Sequence, residues 1–523
     1  MASYQRTWSI LKCGGEMSNK YVLAIDAGSS GGRALIFDLH GALISSTGRA
    51  WTYNVPEDAG PMGKEFDPEE FWGYICRLIA DATVKGAVQS AEIIAVSTSS
   101  QRQGVVFLDE MGRELYAGPN TDIRAIIEGF TIDGEFGKEV YEITGHAPSL
   151  MLCPAKLHWF KANRPDIYEQ IATVLSISDW VAYRLSGQRL GEVSCISSIG
   201  LVDVGDLKGS DRLEEMLDLP SGVCPEITTS GTHIGVVTQE AAAQTGLAAG
   251  TSVVVGGADS QCALLGMGVI NEGQVGIVAG WSGSVQMVTS EPIIDPESRL
   301  WTTCHVLPER WILESNAQQC GGAYSWLRET LFSDLTDENA GYEIMERLAE
   351  EAAPGSGGVL AFIGPAVMDM RRMRLSLGGF IFPVTPSITD IKKEHLIRAA
   401  LENLAFAFKA NCVQLEEISK LKIREVKIGG GLAQSRCLVQ ILSDVLDMPV
   451  TAYDVRHVTS WGTAMCAAVG SGSYGNFNEA IVGMMPESKV VDPDTQRAQE
   501  YTQYYRKWLS TADWLDRLEQ GIS

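Results

Sequence analysis

An Ala-Gly-x-Ser-Gly turn between two apolar strands occurs twice in this chain, about half its length apart. The first copy lies in YVLAIDAGSSGGRALIFDLHG, residues 21–41, where Tyr21–Ile25 and Ala34–Phe37 read as strands flanking a Gly/Ser turn. The second lies in GQVGIVAGWSGSVQMVTS, residues 273–290. Overlaid, Ala27-Gly28-Ser29-Ser30-Gly31 falls on Ala279-Gly280-Trp281-Ser282-Gly283. Solenoid repeats recur every ~20–50 residues, so a repeat at this distance points to two similar domains, each opening on a hairpin. The competing reading is a chance likeness between two Gly-rich hairpins.

Between and after the hairpins, strands alternate with helices. Residues 91–108 read as strand, polar loop, strand, and ISDWVAYRLSG, residues 177–187, as a short helix capped by Ser178 and ended by Gly187. Residues 251–268 read as a buried strand, a Gly256-Gly257 turn and a helix. The same grammar returns at Glu425–Ile428, Gly429-Gly430-Gly431 and a helix with Leu438, Ile441, Leu442, Val445 and Leu446 on one face. The polar tail with spaced Tyr and Trp reads as a surface helix. The expected organisation is α/β: an extension over 1–20, domains over 21–258 and 259–490, and a helical tail over 491–523.

Composition narrows the function. The balance of 41 basic and 65 acidic residues gives a net charge of −24, which argues against nucleic acid and anionic membrane surfaces as partners. A single phosphate remains bindable, because a few local donors suffice. Eleven cysteines without a CxxC pair suggest neither a disulfide framework nor a zinc site, and fit buried thiols in a cytoplasmic protein. No apolar run reaches the ~18 residues of a membrane-spanning helix.

Glycine-rich turns at strand ends let backbone amides approach a phosphate. Ser29, Ser30 and Ser282 add hydroxyls there, and Arg33 a cation. A GxxxxGK[ST] loop is absent, and GSGSYG at 470–475 follows a helical segment, so neither a P-loop nor a dinucleotide fingerprint is present. Asp26 ends the first strand. Asp259 stands where a strand gives way to a helix, and both a helix cap and a catalytic carboxylate remain open for it. Arg102, in the loop Ser99-Ser100-Gln101-Arg102-Gln103, is by itself an ordinary solvated arginine.

Taken in order, these segments resemble the FGGY carbohydrate kinases of the actin/hexokinase-like superfamily. The resemblance runs from residue 21 to about 475 through IDAGSSGGRALIFD, EFDPEEFW, SSQRQGVVFLD, NTDIRA, ISDWVAYRLSG, GGADSQCALLG, GWSGSV, GGAYSWLRE, HLIRAALENLAFAF and IGGGLAQSRCLVQILSDVL. It implies two actin/ribonuclease-H-like domains with an ATP cleft between them, and a kinase that uses ATP and Mg²⁺ to phosphorylate a primary hydroxyl of a small sugar or polyol. By the same resemblance, Asp259 would be the general base, and Asp26, with Asp259, would hold the metal. Ser29, Ser30, Arg33, Gly280 and Ser282 would meet the phosphates. Gly321, Gly430, Gly431 and Ser435 would line the nucleotide pocket, and Arg102, Gln103 and Asp122 would face the sugar. Phosphoryl transfer asks for positioning, charge neutralisation and a proton acceptor, which this set supplies.

Three positions depart from the family pattern: Trp281 replaces a common threonine, His457 a common glutamate, and the SQRQ loop matches neither glycerol nor xylulose kinases. Arg102-Gln103-Gly104-Val105-Val106, Asn120 to Ala125 and Ile177-Ser178-Asp179-Trp180 are most similar to the autoinducer-2 kinase subfamily, which implies a linear, highly oxygenated acceptor of the dihydroxypentanedione type. Other FGGY acceptors, such as a pentulose or polyol, remain open, as does a non-catalytic ATP-binding sensor and a homodimeric assembly. A sensor would dispense with the base.

Overall fold

The computed structural model describes residues 20–371, 377–384, 390–453 and 455–520. The expected N-terminal extension lies outside these apart from Lys20, and so does Cys13.

Two mixed sheets carry the chain. The first runs His233–Val236, Ser252–Ala258, Ile93–Ser100, Tyr21–Ala27, Gly31–Asp38, Leu43–Ala50. The second runs Trp301–Cys304, Trp311–Gln319, Ser282–Thr289, Gln274–Ala279, Glu425–Gly429, Val450–Tyr453, Ser488–Val491. In each, the leading hairpin strand pairs antiparallel with its partner and parallel with a strand that arrives much later. A third antiparallel strand extends one side and a second parallel strand the other. The same five-strand order and sense occurs twice, so the turn repeat reflects repeated domains. The two turns differ in one respect. Ala27 pairs with Gly32, whereas Ala279 pairs with Gly283, so the first turn is one residue longer and presents two serines.

The central parallel strands are covered on both faces, which explains their unbroken apolar runs. Phe71, Trp72, Ile75 and Ile79 of the helix Pro68–Gly86 fill one side of the first sheet. Its other face, through Val22, Ala24, Leu35 and Phe37, receives Trp461, Ala464 and Met465 of the late helix Val458–Gly470. That helix also crosses the helix Asp259–Gly266 in backbone contact. A Cβ on Gly266 would lie 2.1 Å from the Val458 carbonyl, and one on Gly462 would lie 1.9 Å from the Cys262 carbonyl. Asp259 is thereby fixed between the two sheets.

Three expectations are corrected. The helix Ile177–Ser186 is capped by Ser176, which accepts from the Asp179 amide, while the Ser178 hydroxyl, inside the helix, donates to the Thr98 carbonyl at 2.9 Å. Gly187 ends it as expected, in the left-handed region at φ 78°. Gly256 and Gly257 form no turn. They are the buried end of the strand Ser252–Ala258, where a Gly256 Cβ would meet the Thr98 carbonyl at 1.8 Å. The tail forms a helix, Thr495–Gln520, after an edge strand, Ser488–Val491, and it is more than a surface helix: Tyr501 and Trp508 are buried in the second core.

The ten described cysteines are all unpaired. Among the described residues, no helix is long and apolar enough to cross a membrane.

Candidate active site

Asp259 opens its helix at the first helical position, with Ala258 in the cap position and no side-chain capping bond there. Its Oδ1 accepts only the neighbouring Ser260 amide, at 2.6 Å. Burial pushes its carboxyl up to about 6; Arg102 draws it down, and Asp26 and Glu314 add to the rise. A carboxyl poised there can take a proton from an alcohol near neutral pH.

Asp26 ends the strand Tyr21–Ala27. Arg33 reaches its Oδ2 at 3.5 Å and the Ser99 hydroxyl its Oδ1 at 3.4 Å, yet burial holds the carboxyl above the usual range. Ser30 and Ser282 are exposed at the two turns, as is Arg33, whereas the Ser29 hydroxyl is tied to the Asn120 amide at 2.9 Å. Trp281 departs from the family in a visible way: its indole is 70% exposed and lies over Gly322, whose Cβ would come within 2.8 Å of the ring. His457 sits near Arg33 and Arg456, and burial lowers its imidazole to about 4, so a neutral ring stands where the family commonly has a carboxylate.

The glycines expected around the nucleotide converge. A Cβ on Gly321 would meet the Gly280 carbonyl at 2.5 Å, and one on Gly430, held at φ 104°, would meet the Ala279 carbonyl at 2.7 Å. Three backbone turns thus approach one point more closely than any side chain would allow. Gly431 faces open space. Ser435 is engaged otherwise, capping the helix Arg436–Leu446 and donating to Glu346 at 2.7 Å.

The expected sugar-facing residues divide. Asp122 is corrected: it is fully buried, and its carboxylate accepts from the Lys64 amide at 2.9 Å, from Arg124 Nε and from the Tyr116 hydroxyl. No acceptor is left for a substrate, and Asp122 holds the loop instead. Arg102 is not a solvated loop residue. Both its Nη atoms bind Glu314, one at 2.8 Å and one closer, and its guanidinium lies 5.5 Å from the Trp301 ring. Gln103 occupies the left-handed region at φ 60°, is 5% exposed, and its Nε2 has no hydrogen-bond partner.

Glu314, in the middle of the strand Trp311–Gln319, was not found from sequence. A carboxylate inside the apolar run WILES was the available signal, since such groups are rarely buried without a partner. His146 and Trp301 also escaped notice, because a loop histidine and a strand tryptophan have no local pattern.

Among the described residues no three His, Cys, Asp or Glu side chains cluster as an all-protein metal cage. Mg²⁺ in kinases is commonly held by one or two carboxylates together with phosphates and waters, and Asp259 with Asp26, whose charge helps raise it, fits that donor set.

The N-terminal domain model of the FGGY family of carbohydrate kinases matches residues 21–266, and the C-terminal domain model of the same family matches residues 275–471. The chain is 32% identical over 518 residues to an autoinducer-2 kinase of Enterobacter sp. (strain 638), covering 96% of each chain. It is likewise 32% identical over 521 residues to that of Escherichia coli K12, covering 97% of each. Its fold is shared with xylulose kinase from Rhodospirillum rubrum, with a TM-score of 0.83, 24% identity and coverage of 95% and 99%. Plasmodium falciparum glycerol kinase with ADP gives a TM-score of 0.80 at 17% identity, with coverage of 94% and 98%. The two repeated domains, the converging glycine turns and the half-buried carboxylate between them therefore belong to a member of the FGGY family of carbohydrate kinases, an ATP-dependent sugar kinase.

Proposed function

We propose that this kinase phosphorylates a primary hydroxyl of a small linear, highly oxygenated acceptor of the dihydroxypentanedione type, a reading supported by its 32% identity to proteins named autoinducer-2 kinase. The observation that carries the chemistry is the Asp259 carboxyl, poised near 6 between Arg102 and Asp26. In this reading residues 21–258 carry most of the acceptor site and residues 259–490 the nucleotide. Asp259 accepts the acceptor's hydroxyl proton as the oxygen attacks the terminal phosphorus of ATP and the bond from that phosphorus to the bridging oxygen breaks, releasing ADP. Gln103 donates from its unpaired amide to an acceptor oxygen, and Arg102, oriented by Glu314, presents positive charge to the same space. Ser30, Ser282, Arg33 and the amides of the Gly280 turn steady the phosphates. Asp26 and Asp259 would hold Mg²⁺, which supplies charge neutralisation at the transferring phosphate. The acidic surface and the unpaired thiols suit a cytoplasmic enzyme.

The test is a coupled ADP-release screen over 4,5-dihydroxy-2,3-pentanedione, D-xylulose, D-ribulose, glycerol and erythritol. The expected result is the highest kcat/KM with the dione. A pentulose or glycerol preferred tenfold or more would reassign the acceptor within the family.

A further inference from the structure

Trp301, Glu314 and Gln286 occupy one row across three adjacent strands of the second sheet. Trp301 is registered with Glu314, and Glu314 with Gln286, so the three side chains share a face. The same face meets the first domain. Trp301 Nε1 donates to the Ala147 carbonyl at 2.6 Å, the His146 ring lies 5.6 Å from the Trp301 ring, and Arg102 binds Glu314. His146 and Gln286 are both buried, at 1% and 0% exposure, and each leaves one polar atom without a partner: His146 Nε2 and Gln286 Oε1.

The chemistry of both orphans can be deduced. His146 Nδ1 lies 2.7 Å from the Thr144 carbonyl, which can only accept. Nδ1 therefore carries the hydrogen, and Nε2 presents a lone pair. Burial lowers the imidazole to about 4, so the ring is neutral in ordinary buffers. On the other side, the Ser284 hydroxyl donates to Glu314 at 3.0 Å and so must accept from Gln286 Nε2 at 2.6 Å. That network orients the amide and leaves Gln286 Oε1 as an acceptor. Gln103 Nε2, next to Arg102, is the matching orphan donor. Buried unsatisfied groups are scarce in folded proteins because each costs free energy unless a partner arrives. Two acceptors, one from each domain, flank the Arg102–Glu314 pair.

Resting on the acceptor reading above, we infer that His146 and Gln286 are specificity-determining residues that accept hydrogen bonds from two hydroxyls of the acceptor, one from each side of the domain interface. The ligand this wall selects is an uncharged compound with two hydroxyls besides the one that Asp259 deprotonates, which the linear dione presents once a carbonyl is hydrated, and with further oxygens for Gln103 and Arg102. An acidic sugar finds two lone pairs where it needs donors, and is disfavoured.

The experiment uses the full chain and 4,5-dihydroxy-2,3-pentanedione, D-xylulose and D-gluconate as acceptor probes. His146→Phe keeps an aromatic ring against Trp301 and deletes the lone pair, and Gln286→Met keeps the volume and deletes the acceptor. A substrate hydroxyl left unpaired in a buried site weakens binding by about 5- to 150-fold. Each variant should therefore raise the KM of the preferred uncharged acceptor by at least fivefold while the KM for ATP stays within twofold. The discrimination against D-gluconate should shrink in both. Thermal melts establish that each variant is folded, and the Gln286→Met result stands alone if His146→Phe is not. Unchanged acceptor KM in a folded variant would overturn the inference and leave the kinase reading intact. Absence of acceptor-dependent ADP release in the wild type would instead overturn the acceptor reading, and the inference with it.

Discussion

The Arg102–Glu314 pair joins the two domains, and its strength can be worked from its setting. Glu314 is fully buried and Arg102 is 12% exposed, and the contact is bidentate. Removing one member of a buried pair costs about 3–5 kcal/mol, because the remaining charge stays desolvated. Glu314→Gln leaves the guanidinium with a neutral neighbour. Its slight exposure lets water reach it, so the loss falls at the lower end, about 3 kcal/mol. Arg102→Met leaves the fully buried carboxylate with only the Ser284 hydroxyl as donor, and should cost more. The double variant Arg102→Met/Glu314→Gln removes both charges and should be less destabilised than the sum by about 2 kcal/mol or more, since contacting sites couple by ~0.5–3 kcal/mol. Urea unfolding of the wild type, both single variants and the double variant, followed by circular dichroism, gives the coupling from the summed transitions. Additivity within about 0.5 kcal/mol would refute the reasoning and leave Arg102 and Glu314 as independent groups.

Three further outcomes follow from the same geometry. If Asp259 is the base, kcat/KM for the acceptor should rise with pH around 6 and level off above it, because the carboxylate is the active form; Arg102→Met should move that midpoint upward, since Arg102 lowers it. Arg102→Lys loses the planar fork and should reduce acceptor kcat/KM by about 10- to 150-fold with ATP KM unmoved; the reverse pattern would make Arg102 a phosphate ligand. Asp179, fully buried and pushed up to about 8 by burial, binds a proton in the folded state that an unfolded aspartate releases near ~3.9. Its contribution to stability therefore falls as pH rises from about 4 to 8, and Asp179→Asn should gain Tm relative to wild type between pH 5 and 8.5; parallel Tm profiles would contradict this.

Much of the fold was legible because local signals and global order agreed. Two Gly/Ser turns between apolar runs gave both hairpins, and the strand-to-helix junction gave the place of Asp259. The errors have physical causes. Ser176 rather than Ser178 caps its helix because the extended residue at the strand's end, not the first polar residue inside, meets the free amides. Gly256 and Gly257 read as a turn, yet serve close backbone contact within the sheet. Tyr501 and Trp508 stand two helical turns apart on one face, a buried-helix pattern that the polar background obscured. In the site, residues on the repeated turns were readable and the interface was not. Glu314 and His146 acquire their roles from partners more than a hundred residues away in sequence, and Gln286 from its cross-strand register with Glu314, and no spacing rule reports that.

The central claim is that Asp259 performs proton transfer in an ATP-dependent kinase rather than completing a helix end. Asp259→Asn keeps the volume and deletes the proton acceptor. Calorimetric titration of ATP should show affinity close to wild type, while acceptor-dependent ADP release should fall by about 10²–10⁴-fold. A variant that binds ATP and keeps more than about a third of the wild-type kcat would contradict the account, because the loss of a general base is worth at least two orders of magnitude.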